Sequence, residues 1–202
     1  MARVHLYRPA RMRAPTSLIL GHGAGGGIES ADLQGLTALT ADGWQVVLVE
    51  QPWRVAGRRV ATAPATLDVA WLAVLAALSA SGDITGNVVV GGRSAGARVA
   101  CRTAPELLPP PLGVLCLAFP LRPPGRPGGT RASEALAAIS SGTPLAVVQG
   151  ERDPFGDPAQ VAAELGEGAD VFTARGGHGF TTDPSDAVRQ ARDWLLTLTA
   201  GG

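Results

Sequence analysis

Lysine is missing from this chain: all 17 basic side chains are arginine, so no catalytic role falls to a lysine amine. Cysteine is nearly missing too. Cys101 and Cys116 fall in an apparent helix and an apparent buried strand, where a thiol serves as a small hydrophobe. No C-x-x-C spacing marks a metal or redox motif, and nothing in the sequence supports a disulfide. Charge of one sign is not in excess, since 17 acidic residues offset the 17 arginines and no basic block occurs. Nucleic acid is therefore not an expected partner. The opening Met1-Ala-Arg-Val-His-Leu-Tyr7 lacks the apolar region of a signal peptide, and no apolar run reaches membrane-spanning length. A cytoplasmic protein without a membrane partner is the expectation. Internal repeats and linkers are also lacking, so residues 1–202 read as a single domain large enough for a three-layer core.

What is present alternates between strand and helix. Val4 to Arg8 reads as an edge strand that turns back, through Pro9 to Pro15, antiparallel into the first central strand, Ser17 to Gly21. The glycine cluster Gly21 to Gly27 leads to Ser30 as a helix cap and a helix to about Ala41. Val46 to Glu50 is the next buried strand, and Gln51 to Thr62 is aperiodic and reads as a loop. Pro64 to Ser81 has Leu67, Trp71, Val74, Leu75 and Leu78 at helical intervals. Strands are expected at 87–92, 113–119, 144–149 and 169–173, with helices at 94–103, 131–139, 158–165 and from Pro184 to about Thr199. Such alternation predicts a three-layer α/β/α sandwich on a mainly parallel sheet. Ligands of these sheets bind at the carboxyl ends of the strands, so the segments that follow each strand are where chemistry is sought.

The sharpest of these segments is Gly92-Arg93-Ser94-Ala95-Gly96, a G-x-S-x-G between a β-branched strand and a helix. A serine held on a sharp strained turn needs small neighbours two positions either side, so that strand and helix approach while its Oγ projects outward. Ser94 is thus a candidate nucleophile. It needs a base, and imidazole suits that task near neutral pH. Of the three histidines, His5 lies on the edge strand and His22 in the first glycine loop, which leaves His178 after the last strand. Asp153, four residues past the penultimate strand and before Pro154, is the preferred carboxylate, with Glu151, Asp157 and Asp183 as competitors.

The glycine loop admits two readings. As His22-Gly-Ala-Gly25 it places a backbone N–H, that of Ala24, opposite the Ala95 N–H to form an oxyanion hole. As Gly21-x-Gly23-x-x-Gly26, with Glu50 ending the next strand, it matches a dinucleotide fingerprint and a nucleotide-binding oxidoreductase. The first reading is preferred because it also gives work to Ser94, Asp153 and His178. Around them His22, Gly25, Trp53, Arg54, Arg93 and Pro120 are candidates for lining a substrate pocket. For Arg93 the favoured role is to pair with a local carboxylate and brace the turn, the alternative being contact with an anionic substrate group.

Gly21-His-Gly-Ala-Gly-Gly26, Gly91-Gly-Arg-Ser-Ala-Gly96, Phe119-Pro-Leu-Arg-Pro-Pro-Gly125, Arg152-Asp-Pro-Phe-Gly156 and Gly177-His-Gly-Phe180 together resemble the α/β-hydrolase superfamily. Within it they are similar to a small dienelactone-hydrolase-like branch, which includes a testis-expressed protein and a subunit of a chromatin acetyltransferase complex. The chain departs from that branch at Ala97, where relatives often have glycine, and at Gly176-Gly177, where they often have an acidic residue. The resemblance implies a serine triad in the order Ser94, Asp153, His178, with a minimal fold and no cap domain. The expected activity is hydrolysis of a small ester, lactone or thioester without cofactor or metal. A catalytically silent binding or scaffold module is the second reading. Monomer and homodimer are both compatible with the balanced charge.

Overall fold

The computed structural model describes residues 1–10, 16–58, 60–123 and 129–200. The predicted turn at 11–15, part of the proline-rich connection at 124–128 and Arg59 lie outside the described residues. The described chain runs β1 (Arg3–Tyr7), β2 (Ser17–Gly21), α1 (Ala31–Leu36), β3 (Gln45–Glu50), α2 (Pro52–Val55), α3 (Pro64–Ala80), β4 (Val88–Arg93), α4 (Ala95–Thr103), β5 (Gly113–Leu117), α5 (Ala132–Ser140), β6 (Leu145–Gly150), α6 (Pro158–Leu165), β7 (Asp170–Ala174) and α7 (Pro184–Thr197).

The strands form one seven-stranded sheet in the order β1-β3-β2-β4-β5-β6-β7, parallel except for β1. The interiors of the five central strands, β2 to β6, are buried on both faces and alternate side by side. Ile19, Val47, Val114 and Val147 pack toward α3, α4, α5 and α6, while Leu18, Leu20, Leu48, Leu115 and Val148 pack toward α1 and α7. This double burial is why the strands read as continuous apolar runs in the sequence. Trp44, Trp71 and Trp194 are buried in these two layers.

Three expectations are corrected. The edge strand β1 does pair antiparallel, but with β3 and not with β2, so β3 lies between the two strands that are consecutive in the chain. The helix predicted from Ser30 to Ala41 stops as an α-helix at Leu36 and tightens into a 3₁₀ turn over Thr37–Asp42. Ser30 occupies the cap position without its side chain making a capping bond. Finally, the predicted loop after β3 contains the short helix α2, opened by Pro52 at its first turn, where a missing N–H costs nothing.

The connection between β5 and α5 contributes no helix among the described residues, and none of them forms a separate cap over this end of the sheet.

Candidate active site

Ser94 sits between β4 and α4 with φ 52° and ψ −105°, a region sparsely populated by residues with a side chain. The strain is imposed by packing. A Cβ on Gly92 would stand 2.3 Å from Gly21 O, and one on Gly96 would stand 2.2 Å from the same atom. β2, β4 and α4 therefore meet backbone to backbone, and both glycines of the motif are sterically required. Gly96→Ala is expected to destabilise the fold by about 3 kcal/mol, because its methyl collides with backbone that no side-chain rotation can clear. Urea unfolding of the variant beside the parent protein checks this.

Three side chains from separate strand ends converge. His178 Nε2 lies 2.9 Å from Ser94 Oγ, and His178 Nδ1 lies 2.8 Å from Asp153 Oδ2. The Asp153 side chain is fully buried and that of His178 is 21% exposed, so the carboxylate is sealed behind the ring while the serine side stays accessible. Asp153 is held at both oxygens: Gln149 Nε2 donates to Oδ2 at 3.0 Å and the Phe155 N–H to Oδ1 at 2.9 Å. Each competing carboxylate has other work. Glu151 accepts from the Gly176 N–H, Asp157 caps α6 through a capping box with Gln160, and Asp183 caps α7.

The loop bearing His178 follows β7 and is anchored by fully buried Phe180. Arg93 Nη2 donates to His178 O at 3.0 Å, and its Nε lies 3.3 Å from Asp32 Oδ2, a carboxylate only 2% exposed on α1. The bracing role read for Arg93 is thus met by Asp32, 61 positions away in the chain (93 less 32) and not a local partner. The Arg93 bond to His178 O ties down the loop despite its two glycines ahead of His178. The Phe155 ring packs against the imidazole with centroids 4.4 Å apart.

The glycine loop crosses the serine. A Cβ on Gly23 would lie 3.3 Å from Ser94 Cβ and 4.0 Å from Oγ. Ala95 opens α4, where backbone N–H groups lack intrahelical acceptors, and Ala24 and Gly25 are exposed. The dinucleotide reading loses its geometry: α1 begins only at Ala31, not directly after Gly26, and Glu50 is paired with Arg3 at 3.2 Å.

Several pocket candidates are displaced. Trp53 is 1% exposed and packs its ring edge-on to His22, making it core. His22 itself is fully buried, with both ring nitrogens engaged by backbone. Pro120 is buried, and its carbonyl accepts from Arg131 at 3.1 Å. Arg54 is exposed. Gln149, Gln51, Asp32 and Phe155 were not singled out by sequence reading. For Gln149 a signal existed, a polar residue near the carboxyl end of an otherwise apolar strand.

Burial lowers the pKa of His22 below its ordinary 6.5, against opposing pulls from the Gly23 carbonyl and from Glu50 and Glu29, with Arg54 adding to the lowering. The unfolded chain therefore takes up a proton at this position at higher pH than the native ring does. The stability tied to neutral His22 is complete above pH 6.5 and falls as pH drops, levelling only below the native pKa. Urea unfolding on either side of pH 6.5 is expected to show a smaller pH slope in His22→Asn than in the parent protein. Among the described residues, no group of three His, Cys, Asp or Glu side chains converges as a metal site would require. Cys101 and Cys116 are free, fully buried and 3.3 Å apart at sulfur, and the contact with Cys101, together with burial, pushes the Cys116 thiol well up.

With this geometry in view, a family model described as an alpha/beta hydrolase domain matches residues 14–197. The chain belongs to that family. Among solved structures, an alpha-beta serine hydrolase homologue from Coxiella burnetii is similar at 18% identity, covering 98% of this chain and 92% of its own, with a TM-score of 0.75. Est1E from Butyrivibrio proteoclasticus, solved with ferulic acid bound, has 13% identity, 98% and 96% coverage and a TM-score of 0.75. A Xanthomonas campestris member of the a/b serine hydrolases without a lid has 18% identity, 97% and 88% coverage and a TM-score of 0.74. At these identities the shared property is the hydrolase fold. No curated protein matches the sequence.

No described helix of this hydrolase-family chain is long and apolar enough to cross a membrane.

Proposed function

We propose that the protein is a serine hydrolase that acts on small ester, lactone or thioester substrates through an acyl-enzyme. The observation that carries the reading is the unbroken contact chain from Ser94 Oγ through the imidazole of His178 to Asp153 Oδ2, at 2.9 and 2.8 Å. In this mechanism Ser94 Oγ attacks the carbonyl carbon while His178 Nε2 accepts its proton. Asp153, acceptor of the Nδ1–H, keeps Nε2 free to take that proton and stabilises the cation that results. The N–H groups of Ala95 and Ala24 hold the oxyanion. Collapse of the tetrahedral intermediate expels the alcohol or thiol, protonated by His178. A water molecule then repeats the sequence on the acyl-enzyme and restores Ser94.

The lack of a helical cap among the described residues supports an open site suited to soluble substrates. Higher turnover on short acyl esters than on emulsified long-chain lipid is expected. Feruloyl esters belong in the substrate panel, since a neighbour of this fold was solved with ferulic acid. The deciding test is a fluorophosphonate probe on the folded protein. Labelling that disappears in Ser94→Ala supports the proposal, whereas folded protein that never labels would leave a hydrolase-shaped binding module.

A further inference from the structure

Three of the aromatic side chains that follow strand ends, Trp53, Phe119 and Phe180, are drawn wholly into the core, with at most 1% of their surface exposed. Phe155 is not. It is half-buried, it is a member of neither hydrophobic layer among the described residues, and its ring stands against the imidazole of His178, tilted by 63° at 4.4 Å between centroids. Core packing does not account for an apolar ring left partly in solvent beside the proton shuttle.

The backbone holds that ring in place. The Phe155 N–H donates to Asp153 Oδ1 at 2.9 Å, and the Phe155 carbonyl accepts from the Arg122 N–H at 2.8 Å, which joins this loop to the connection after β5. Gly156, with φ 130°, lies close to Leu121, where an added Cβ would stand 3.0 Å from the Leu121 Cβ. Held from both sides, the ring is a fixed wall.

The chemistry decides what meets this wall. His178 Nε2 takes the Ser94 proton and later gives it to the oxygen of the departing alcohol. That oxygen must come within hydrogen-bonding distance of Nε2, so whatever it carries lies on the imidazole side of the site, where Phe155 stands. The oxyanion turns the other way, toward the Ala95 and Ala24 N–H groups and a glycine loop whose one large side chain, His22, is buried.

We propose that Phe155 is a specificity-determining residue: its ring seats the leaving group, so that among small esters the site favours those of aromatic alcohols, with the ring on the alcohol and not on the acyl side. The inference rests on the serine-hydrolase reading above and names the substrate class within it. Contact between two aromatic rings is directional and adds to their area burial, whereas burial alone favours the larger saturated ring. Comparing the two kinds of ring therefore separates an aromatic seat from a merely greasy one.

Four esters make the test. Benzyl acetate and methyl phenylacetate are isomers that carry the same ring on the alcohol or on the acyl group, and cyclohexylmethyl acetate and methyl cyclohexylacetate are their saturated counterparts. In the parent protein kcat/KM for benzyl acetate is expected to exceed that for cyclohexylmethyl acetate about fivefold. Phe155→Leu is expected to bring this ratio to about one and Phe155→Tyr to keep it, while the ratio within the methyl ester pair stays within about twofold of the parent's. Ratios cancel any overall loss from a loosened His178. A parent without the benzyl preference, a preference that survives in Phe155→Leu, or a methyl ester ratio that shifts as much would overturn the proposal.

Should Phe155→Leu fail to fold, Phe155→Met, which also lacks a ring, carries the same comparison, and the parent's own ratios need no variant. A parent protein with no Ser94-dependent turnover and no phosphonate adduct brings down the hydrolase reading, and the role of Phe155 with it. A phosphonate adduct without turnover of benzyl acetate, or equal rates on the two acetates, removes only the role of Phe155.

Discussion

Ser94→Ala is expected to lower kcat on short acyl esters on the order of 10⁶-fold and to abolish phosphonate labelling, with KM little changed. The size follows from how the parts cooperate. Without Oγ there is no bond for His178 to activate and nothing for Asp153 to orient, so removing His178 as well should cost almost nothing further. A parent, two single variants and the double variant assayed on one ester make this a closed cycle, and additive losses would contradict a concerted serine-imidazole unit. The same position carries a second expectation of opposite sign. With φ at 52°, Ser94 sits where a Cβ is strained, and glycine removes that strain. Ser94→Gly should thus be as inactive as the alanine variant yet more stable than the parent by about 1 kcal/mol in urea unfolding.

Asp153→Asn is expected to cost about 10⁴ in kcat, although the side chain keeps its shape. The reason lies in the bonds around it. Oδ1 accepts from the Phe155 N–H, and Oδ2 accepts from Gln149 Nε2 while facing His178 Nδ1. An asparagine that satisfies Phe155 with its oxygen must set its NH₂ against two further donors. Relief comes when His178 moves its proton to Nε2, and a protonated Nε2 cannot take the Ser94 proton. The tautomer shift is visible in the ring nitrogen spectrum, and restored activity in Asp153→Glu is not expected because the longer arm displaces both fixed acceptors. Activity within tenfold of the parent would show that the imidazole is oriented by something other than this carboxylate.

Much of this site was legible in the residues because its parts obey local rules. The serine turn announces itself through Gly92 and Gly96, whose absent side chains are demanded by a backbone contact with Gly21 at the neighbouring strand end. Asp153 and His178 could be singled out because sheets of this kind collect chemistry where strands finish. The competitors Glu151, Asp157 and Asp183 could not be dismissed from the sequence, since capping a helix and facing an imidazole both ask for a carboxylate after a turn. Only coordinates assign Asp157 and Asp183 to helix ends and leave Asp153 for the ring. Trp53 and His22 misled for a related reason: a residue shortly past a strand end is near the site in the chain, but α2 turns Trp53 inward and the His22 ring packs against it in the interior.

By itself the sequence determined a mainly parallel, doubly covered sheet and pointed to the serine turn and to His178, with Asp153 first among four carboxylates, because periodicity and glycine placement act over a few residues. Tertiary structure alone decided that β1 lies beside β3, that Asp32 is the partner of Arg93, and that Gln149 and Gln51 hold the supporting shell. These are contacts between segments far apart along the chain, formed wherever packing brings a donor to an acceptor, and no local spacing records them.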